Sequence, residues 1–357
     1  MSIRFSCVVA TCLVAVVAVG ACSDGDDGAD GPGSGDELAA TAGTSTTMTP
    51  TTMTPTTMTP TTLPATTATE PTVPPAAAAD ADADVVRCDA GATRVEVAAG
   101  RFAEIDHPGA DGDPIGAVVL LHGYTGSPEA IRTTSELSDA AAAAGVVVAY
   151  PEGRPVPDQV GYGWDAGTDV YSVPTGEGDD DVAAVLATVD HLVADHCVDP
   201  GRVVLAGESN GGGMAVRVAC DDRSHGRLRA VVPVIAAVGE ATIAGCDADD
   251  GVELLAAAGT GDVVVPFDGF DVAEGSVLGQ LDWFGRVATA SNGCGPTSLD
   301  PLPGVGAVAT VEPEGCQHPS RLAVVGGGDH RWPGGPASDV DVAPWSLNDL
   351  VLDLVGS

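Results

Sequence analysis

The chain has 357 residues, with 51 acidic side chains against 14 basic ones and a formal net charge of −37 at pH 7. Such an acidic surface repels nucleic acids and anionic membranes, so neither is an expected partner. The length exceeds that of most single domains, but the N-terminal quarter lacks the composition of a folded core.

Residues 1–21 predict a signal peptide. Arg4 precedes the apolar run CVVATCLVAVVAVGA, which suits a signal peptide better than a membrane-spanning helix. The run leads into Val-Gly-Ala-Cys, which resembles a bacterial lipobox, so Cys22 is the predicted lipidation site. A simple signal peptide with a chance cysteine nearby is the alternative. We expect an exported, outward-facing protein that meets the membrane only through a lipid anchor.

Residues 22–84 are rich in Asp, Gly, Ala, Thr and Pro, and the pentapeptide TTMTP occurs three times in succession at 46–60. Such a segment cannot bury enough apolar surface to offset its ordering entropy. It is predicted to be a disordered stalk, which leaves residues 85–357 as one folded domain.

Six cysteines lie in the predicted domain. An even number in an exported domain predicts three disulfides, with fifteen possible pairings. No C-x-x-C spacing occurs, so no metal site is expected. Closeness in sequence favours two pairings and leaves the third by exclusion: Cys294–Cys316, Cys220–Cys246 and Cys88–Cys197.

Short apolar runs alternate with helix-period segments through the predicted domain. The runs predict strands at 117–123, 146–153, 202–207, 229–236, 252–259 and 321–328. Helices are predicted at 131–145, 180–197 and 213–220. Strands that are almost continuously apolar and separated by helices indicate a mostly parallel sheet with helices on both faces, an α/β fold.

The segment VLAGESNGGG at 204–213 contains the pattern G-x-S-x-G around Ser209. An apolar strand runs into it and a helix follows, which is the strand–turn–helix context of a nucleophile elbow. Gly207 and Gly211 suit a turn in which a Cβ atom would meet neighbouring backbone. Ser209 is therefore the predicted nucleophile.

In nucleophile-elbow proteins the acid and the histidine follow the serine in that order. Three histidines then remain, His225, His318 and His330, and only His330 lies on a loop directly after an apolar strand. Asp262 ends the preceding core strand and is the predicted acid. Asp329, next to the histidine in sequence, is the alternative.

Two backbone N–H groups are the predicted oxyanion donors. One belongs to Asn210, which follows the serine, and the other to Tyr124, on the loop after the first predicted strand. His122 is expected to brace that loop. Trp164 and Trp332 either line a substrate groove or pack as core aromatics.

Several segments, taken in order, resemble one family of secreted α/β-hydrolases: LLHGYTGS (120–127), GWDAG (163–167), VDPGRVVLAGESNGGGMA (198–215), GTGDVVVPFDG (259–269) and GGGDHRWPGG (326–335). The family comprises extracellular polyhydroxybutyrate depolymerases and the related feruloyl and acetylxylan esterases. Its serine, acid and histidine match Ser209, Asp262 and His330, and its oxyanion donors match Asn210 and Tyr124.

The resemblance implies an α/β-hydrolase fold and a serine esterase without a cofactor, and the lipobox adds the expected lipid anchor. The implied partner is an ester substrate, namely a polyester or its oligomers, a hydroxycinnamoyl ester or an acetyl ester. A serine peptidase on the same fold and a non-catalytic envelope binding protein are the alternatives. We expect a monomer.

Overall fold

The computed structural model describes residues 87–356, apart from 175, 177–178, 248–250 and 274. The predicted signal peptide, the lipidation site Cys22 and the predicted stalk lie outside the described residues. Of the helices that the structure describes, none is both long and apolar enough to cross a membrane.

A nine-stranded sheet forms the centre of the domain. In chain order its strands β1–β9 are Gly91–Ala98, Arg101–His107, Ile115–Leu121, Val147–Pro151, Val198–Glu208, Ala230–Val234, Glu253–Gly259, Val308–Val311 and Ser320–Val325. They lie side by side in the order β8-β9-β7-β6-β5-β3-β4-β2-β1. The six strands from β9 to β4 are parallel, while β8 and β2 run antiparallel to their neighbours. The predicted mostly parallel sheet is confirmed.

Six helices accompany the sheet in the described ranges. In chain order α1–α6 are Pro128–Ser135, Leu137–Ala144, Asp181–Asp195, Asn210–Ala219, Gln280–Asn292 and Leu347–Gly356. Three short antiparallel pairs lie outside the main sheet: Arg87–Cys88 with Ala110–Asp111, Arg154–Pro155 with Tyr162–Gly163, and Gly269–Val272 with Gly275–Leu278.

The single helix predicted at 131–145 is wrong, because the chain breaks it into α1 and α2. Glu136 between them has the left-handed φ of 51°. The Ser135 hydroxyl donates to the carbonyl of Ile131 at 2.7 Å and accepts from the Leu137 N–H at 3.3 Å. This local hydrogen bonding by serine competes with the helical pattern and starts a second helix in a new direction.

The sheet buries both faces, because successive residues of a strand point to opposite sides. On β3, Val118 and Leu120 pack with α1, α2 and α6, whereas Val119 and Leu121 pack with α3 and α4. The prediction of helices on both faces is confirmed. The core is thus two apolar layers separated by the sheet.

All three predicted disulfides are confirmed: Cys88–Cys197, Cys220–Cys246 and Cys294–Cys316. The first closes a loop with a sequence separation of 109 residues and joins the start of the described chain to the end of α3. The other two close short loops that follow α4 and α5.

We expect denaturing reduction to add six hydrogens to the intact mass, two for each bridge. Replacing Cys88 and Cys197 with serine should cost about 4 kcal/mol of unfolding free energy, because the long loop would regain its chain entropy. Mass spectrometry and denaturant titration check the two statements. Six alkylatable thiols in the native exported protein would contradict the pairing.

Candidate active site

Ser209 stands at a sharp turn between the end of β5 and the start of α4. Its backbone has φ 58° and ψ −117°, a conformation that a non-glycine residue rarely adopts. The Ser209 N–H donates to the Val234 carbonyl at 2.9 Å. The Ser209 carbonyl accepts from Gly213 at 2.9 Å and from Ala237 at 3.0 Å. Hydrogen bonds from β6 and from the loop after it therefore hold the strained turn.

Two glycines make this turn possible by letting backbone approach backbone. A Cβ atom on Gly207 would lie 2.2 Å from the Gly211 carbonyl oxygen. A Cβ atom on Gly211 would lie 2.5 Å from the His122 carbonyl oxygen and 2.6 Å from that of Leu121. Both distances are far inside van der Waals contact, so the turn packs directly against the end of β3.

A continuous chain of hydrogen bonds joins Ser209, His330 and Asp262. His330 Nε2 lies 2.9 Å from Ser209 Oγ, and His330 Nδ1 lies 2.7 Å from Asp262 Oδ2. The other carboxylate oxygen of Asp262 accepts the N–H groups of Val264 and Val265 at 2.9 and 2.8 Å. A carboxylate at Nδ1 fixes the tautomer in which Nε2 accepts the serine proton.

The loops after β7 and β9 are hydrogen bonded to each other, which brings the acid and the histidine together. The Gly261 N–H donates to the Gly328 carbonyl at 2.9 Å, and the Gly327 N–H donates to Thr260 Oγ1 at 2.8 Å. Asp329 forms an ion pair with Arg331 at 3.1 Å. The structure thus pairs His330 with Asp262 rather than with Asp329.

The loop after β3 touches the serine from the other side. A Cβ atom on Gly123 would lie 3.3 Å from Ser209 Cβ and 3.8 Å from Ser209 Oγ. His122 braces the loop, since its Nδ1 bonds the Gly123 carbonyl at 2.8 Å and its Nε2 accepts the Gly153 N–H at 3.1 Å. Burial lowers the pKa of His122 to about 4 and keeps the ring neutral. Tyr124 follows directly.

Asn210 opens α4 and is fully buried. Its side chain pairs twice with the backbone of Trp164: Oδ1 accepts the N–H at 2.8 Å, and Nδ2 donates to the carbonyl at 3.1 Å. Its own N–H belongs to the first turn of a helix, where the helix provides no acceptor.

The two tryptophans do not line a groove, and the structure contradicts that interpretation of them. Trp164 is 0% exposed and Trp332 is 1% exposed. The Trp164 indole donates to the His122 carbonyl at 2.9 Å, and the Trp332 indole donates to Asn348 Oδ1 at 2.9 Å. Each is a core aromatic whose indole N–H anchors a loop of the site.

Sequence reasoning missed the part played by Asp181, the first residue of α3. Its carboxylate is 1% exposed and pairs with Arg101 at 2.8 Å and with Arg154 at 3.2 Å. It also accepts the Asp165 N–H at 2.7 Å. The start of α3 and the segment GWDAG meet at this contact, which fixes the loop that carries Trp164.

A cavity of about 1020 Å³ lies beside α5 and is lined by that helix and by residues 296–302, among others. None of Ser209, Asp262 and His330 lines it. Within the described ranges, no group of three or more His, Cys, Asp and Glu residues is arranged to hold a metal ion.

Residues 101–250 match the family described as esterase PHB depolymerase. A protein named as an esterase, NocK from Nocardia uniformis subsp. tsuyamanensis, is 34% identical over 298 residues, which cover 75% of this chain and 83% of that protein. Feruloyl esterase C from Emericella nidulans is 28% identical over 191 residues, 50% of this chain and 64% of that enzyme. An acetyl xylan esterase structure from Aspergillus awamori superposes with a TM-score of 0.51 at 13% identity, covering 74% of this chain and 99% of that one.

The fold and these relatives define a carboxylic ester hydrolase with the α/β-hydrolase fold. The chain belongs to the polyhydroxybutyrate depolymerase and feruloyl esterase family. The resemblance that the sequence motifs indicated is confirmed.

We expect Asp181→Asn to lower the free energy of unfolding by about 3 kcal/mol, because two arginines would lose their buried counter-ion. Asp190→Asn on the same helix is the matched control. Asp190 is 69% exposed and pairs with Arg227, so its loss should cost less than about 1 kcal/mol. Chemical denaturation of both variants measures the difference. Equal effects would show that the Asp181 cluster does not stabilise the fold.

Proposed function

We propose that Ser209, His330 and Asp262 form the catalytic triad of a serine esterase. The observation that carries this proposal is the hydrogen-bond chain from the serine hydroxyl through both imidazole nitrogens to a buried carboxylate. The strained backbone at Ser209 supports it, since such strain concentrates at functional sites.

In the first half of the reaction, Ser209 Oγ attacks the ester carbonyl while its proton passes to His330 Nε2. The carbonyl electron pair moves onto the oxygen and forms a tetrahedral oxyanion. When the C–O bond to the leaving alcohol breaks, His330 returns the proton to the alcohol. Water then attacks the acyl-serine by the same sequence of proton transfers and releases the acid and the free enzyme.

The N–H groups of Asn210 and Tyr124 are the proposed oxyanion donors. Asn210 contributes the free end of a helix, where the dipole also favours negative charge. The contact of Gly123 with Ser209 supports Tyr124, since it brings that loop beside the nucleophile. Losing one such donor typically costs about 3 kcal/mol of transition-state stabilisation.

Exposed valines on three loops around the triad support an ester with an apolar acyl or alcohol part as the substrate. Val263 follows Asp262 and is 87% exposed, and Val160 lies on a hairpin tip that packs against the loop of Tyr124. Val305, also exposed, touches Gly327 just before the histidine. Feruloyl, short hydroxyacyl and acetyl esters, offered as soluble esters or oligomers, are the proposed substrates.

We expect a fluorophosphonate probe to label Ser209 and to leave His330→Ala unlabelled, because the serine needs its base. Ser209→Ala should lose esterase activity with almost unchanged thermal unfolding. Ser291→Ala is the matched control, because Ser291 is buried in α5 and its hydroxyl has no hydrogen-bond partner within the part of the chain that the structure describes. Peptide mass spectrometry locates the adduct.

Matched ester and anilide substrates separate the proposed esterase from a serine peptidase, since only a peptidase should cleave the anilide at a comparable rate. A folded protein without any adduct would contradict the triad and favour the envelope binding protein.

We further propose that residues 1–21 direct export, that Cys22 carries lipid, and that residues 22–84 hold the domain 85–357 away from the membrane. Three disulfides support an oxidising compartment. Such a location suits an enzyme that hydrolyses exogenous esters.

Metabolic labelling with a radioactive fatty acid tests the anchor in a bacterial host. The natural chain should be labelled, Cys22→Ala should not, and Cys12→Ala should be labelled as a control within the apolar run. Label that survives in Cys22→Ala would contradict lipidation at that cysteine.

A further inference from the structure

Glu208 is the last residue of β5 and directly precedes the nucleophile. It lies opposite Val234 in the register of β5 with β6, the residue whose carbonyl binds the Ser209 N–H. Its carboxyl oxygen Oε2 is buried and has no hydrogen-bond partner among the described residues. A buried carboxyl without a partner lowers stability once it ionises, so hydrogen bonding gives it no structural role.

The charged groups that act on the Glu208 carboxyl, among the described residues, are His330 and Asp262. These groups come from the loops after β9 and β7. Burial raises the pKa of Glu208 to about 7, His330 acts in the opposite direction, and Asp262 raises it further. Glu208 directly precedes Ser209, whose Oγ lies 2.9 Å from His330 Nε2. A change in its charge at neutral pH therefore acts on the imidazole that has to carry a positive charge during the proposed reaction.

We propose that Glu208 is a positioning residue whose carboxylate stabilises the His330 imidazolium while the proton is held between Ser209 and the leaving group. The inference rests on the proposed serine esterase function. Asp262 supplies one negative charge at Nδ1 of the ring, and Glu208 supplies a second from the strand that carries the nucleophile. The second charge is present only when Glu208 is ionised, that is, at a pH above its pKa.

The same carboxylate would also act on the oxyanion, with the opposite sign. The oxyanion forms against the N–H groups proposed for Asn210 and Tyr124, whereas His330 has a larger electrostatic effect on Glu208 than Asp262 has. We therefore expect the favourable effect on the imidazolium to exceed the repulsion of the oxyanion. If kcat rises when Glu208 ionises, stabilisation of the imidazolium dominates. If kcat falls, repulsion of the oxyanion dominates.

The test compares the natural enzyme with Glu208→Gln, which keeps the shape and removes the charge. We measure kcat on a soluble ester between about pH 5.5 and about pH 8.5. At each pH we divide the kcat of the natural enzyme by that of Glu208→Gln, and we plot this kcat ratio against pH. The ratio should lie near one at the acidic end and rise with a midpoint near pH 7. At the alkaline end it should reach about tenfold, the order expected for one nearby charge.

Thermal unfolding gives a second readout with a predictable sign. Because the folded-state pKa of Glu208 is raised from 4.5 to about 7, the native state binds the proton more tightly than the unfolded chain between these values. The contribution of Glu208 to stability therefore falls as pH rises through that window. Glu208→Gln should match the natural protein near pH 4.5 and melt at a higher temperature above pH 7.

Two further variants serve as controls. Glu208→Asp keeps a carboxyl group and should retain part of the pH-dependent rise. Glu253→Gln removes a buried carboxylate at the opposite end of β7, where it pairs with Arg229 at 2.6 Å and with Arg321 at 3.4 Å. That variant should melt at a lower temperature and show a ratio independent of pH.

A flat ratio, or one that falls below one at alkaline pH, overturns the role of Glu208 while Ser209 labelling and ester hydrolysis still support the esterase. Loss of folding in Glu208→Gln also contradicts it, since the variant is expected to gain stability. A natural enzyme that neither hydrolyses the ester nor labels at Ser209 overturns both proposals. A rising ratio together with the higher melting temperature supports Glu208.

Discussion

The left-handed backbone of Ser209 is the constraint on which the rest of the site depends. Holding a non-glycine residue there costs about 1–3 kcal/mol, and the surrounding backbone offsets that cost. Val234 and Ala237 bind the serine's N–H and carbonyl. Gly211 lets the first turn of α4 rest on the carbonyls that end β3. The strand order follows from this, since β5 has to lie between β3 and β6 for both contacts to exist.

Three carboxyl groups in and near this turn differ in their partners: Asp181 and Asp262 are buried, and Glu208 is half-buried. Asp181 has two arginines and a backbone N–H, so its charge is neutralised and it serves the fold. Asp262 has two backbone N–H groups and an imidazole as hydrogen-bond partners, which orient it. Glu208 has a buried oxygen, Oε2, with no hydrogen-bond partner among the residues that the structure describes. The partners of each carboxyl group therefore indicate its role. Asp181 stabilises the fold, Asp262 orients His330, and Glu208 is the one that we propose acts electrostatically on His330.

The sequence predicts the parts of this molecule in which one physical requirement dominates. Each of the six parallel strands contains a run of buried apolar residues, so an apolar run identifies each of them. The edge strands β1 and β8, and β2 beside β1, are partly exposed and carry no such run. The break at Glu136 depends on one serine hydroxyl, which competes with a helical pattern that is otherwise sound. The disulfides could be paired from the sequence because two of the loops are short.

Within the site, motif and chain order lead to Ser209, Asp262 and His330, since each residue ends or follows a predicted strand. The sequence cannot tell whether an aromatic residue near such a strand end faces a ligand or the core. Trp164 and Trp332 face the core because each indole N–H finds an acceptor inside it, the His122 carbonyl for one and Asn348 of α6 for the other. Asp181 and Glu208 were missed for a related reason, since their importance comes from partners that are distant in sequence or absent.

His122 and Glu208 stand close to Ser209, and burial shifts their pKa values in opposite directions, to about 4 and about 7. Between these values burial keeps both groups uncharged. Charges that form during the proposed reaction then depend on fixed dipoles and on neighbouring ionised groups. His122 cannot respond to a rise in pH above neutrality, because it is already neutral. Glu208 can, and its ionisation is therefore the step by which the environment of His330 changes with alkaline pH.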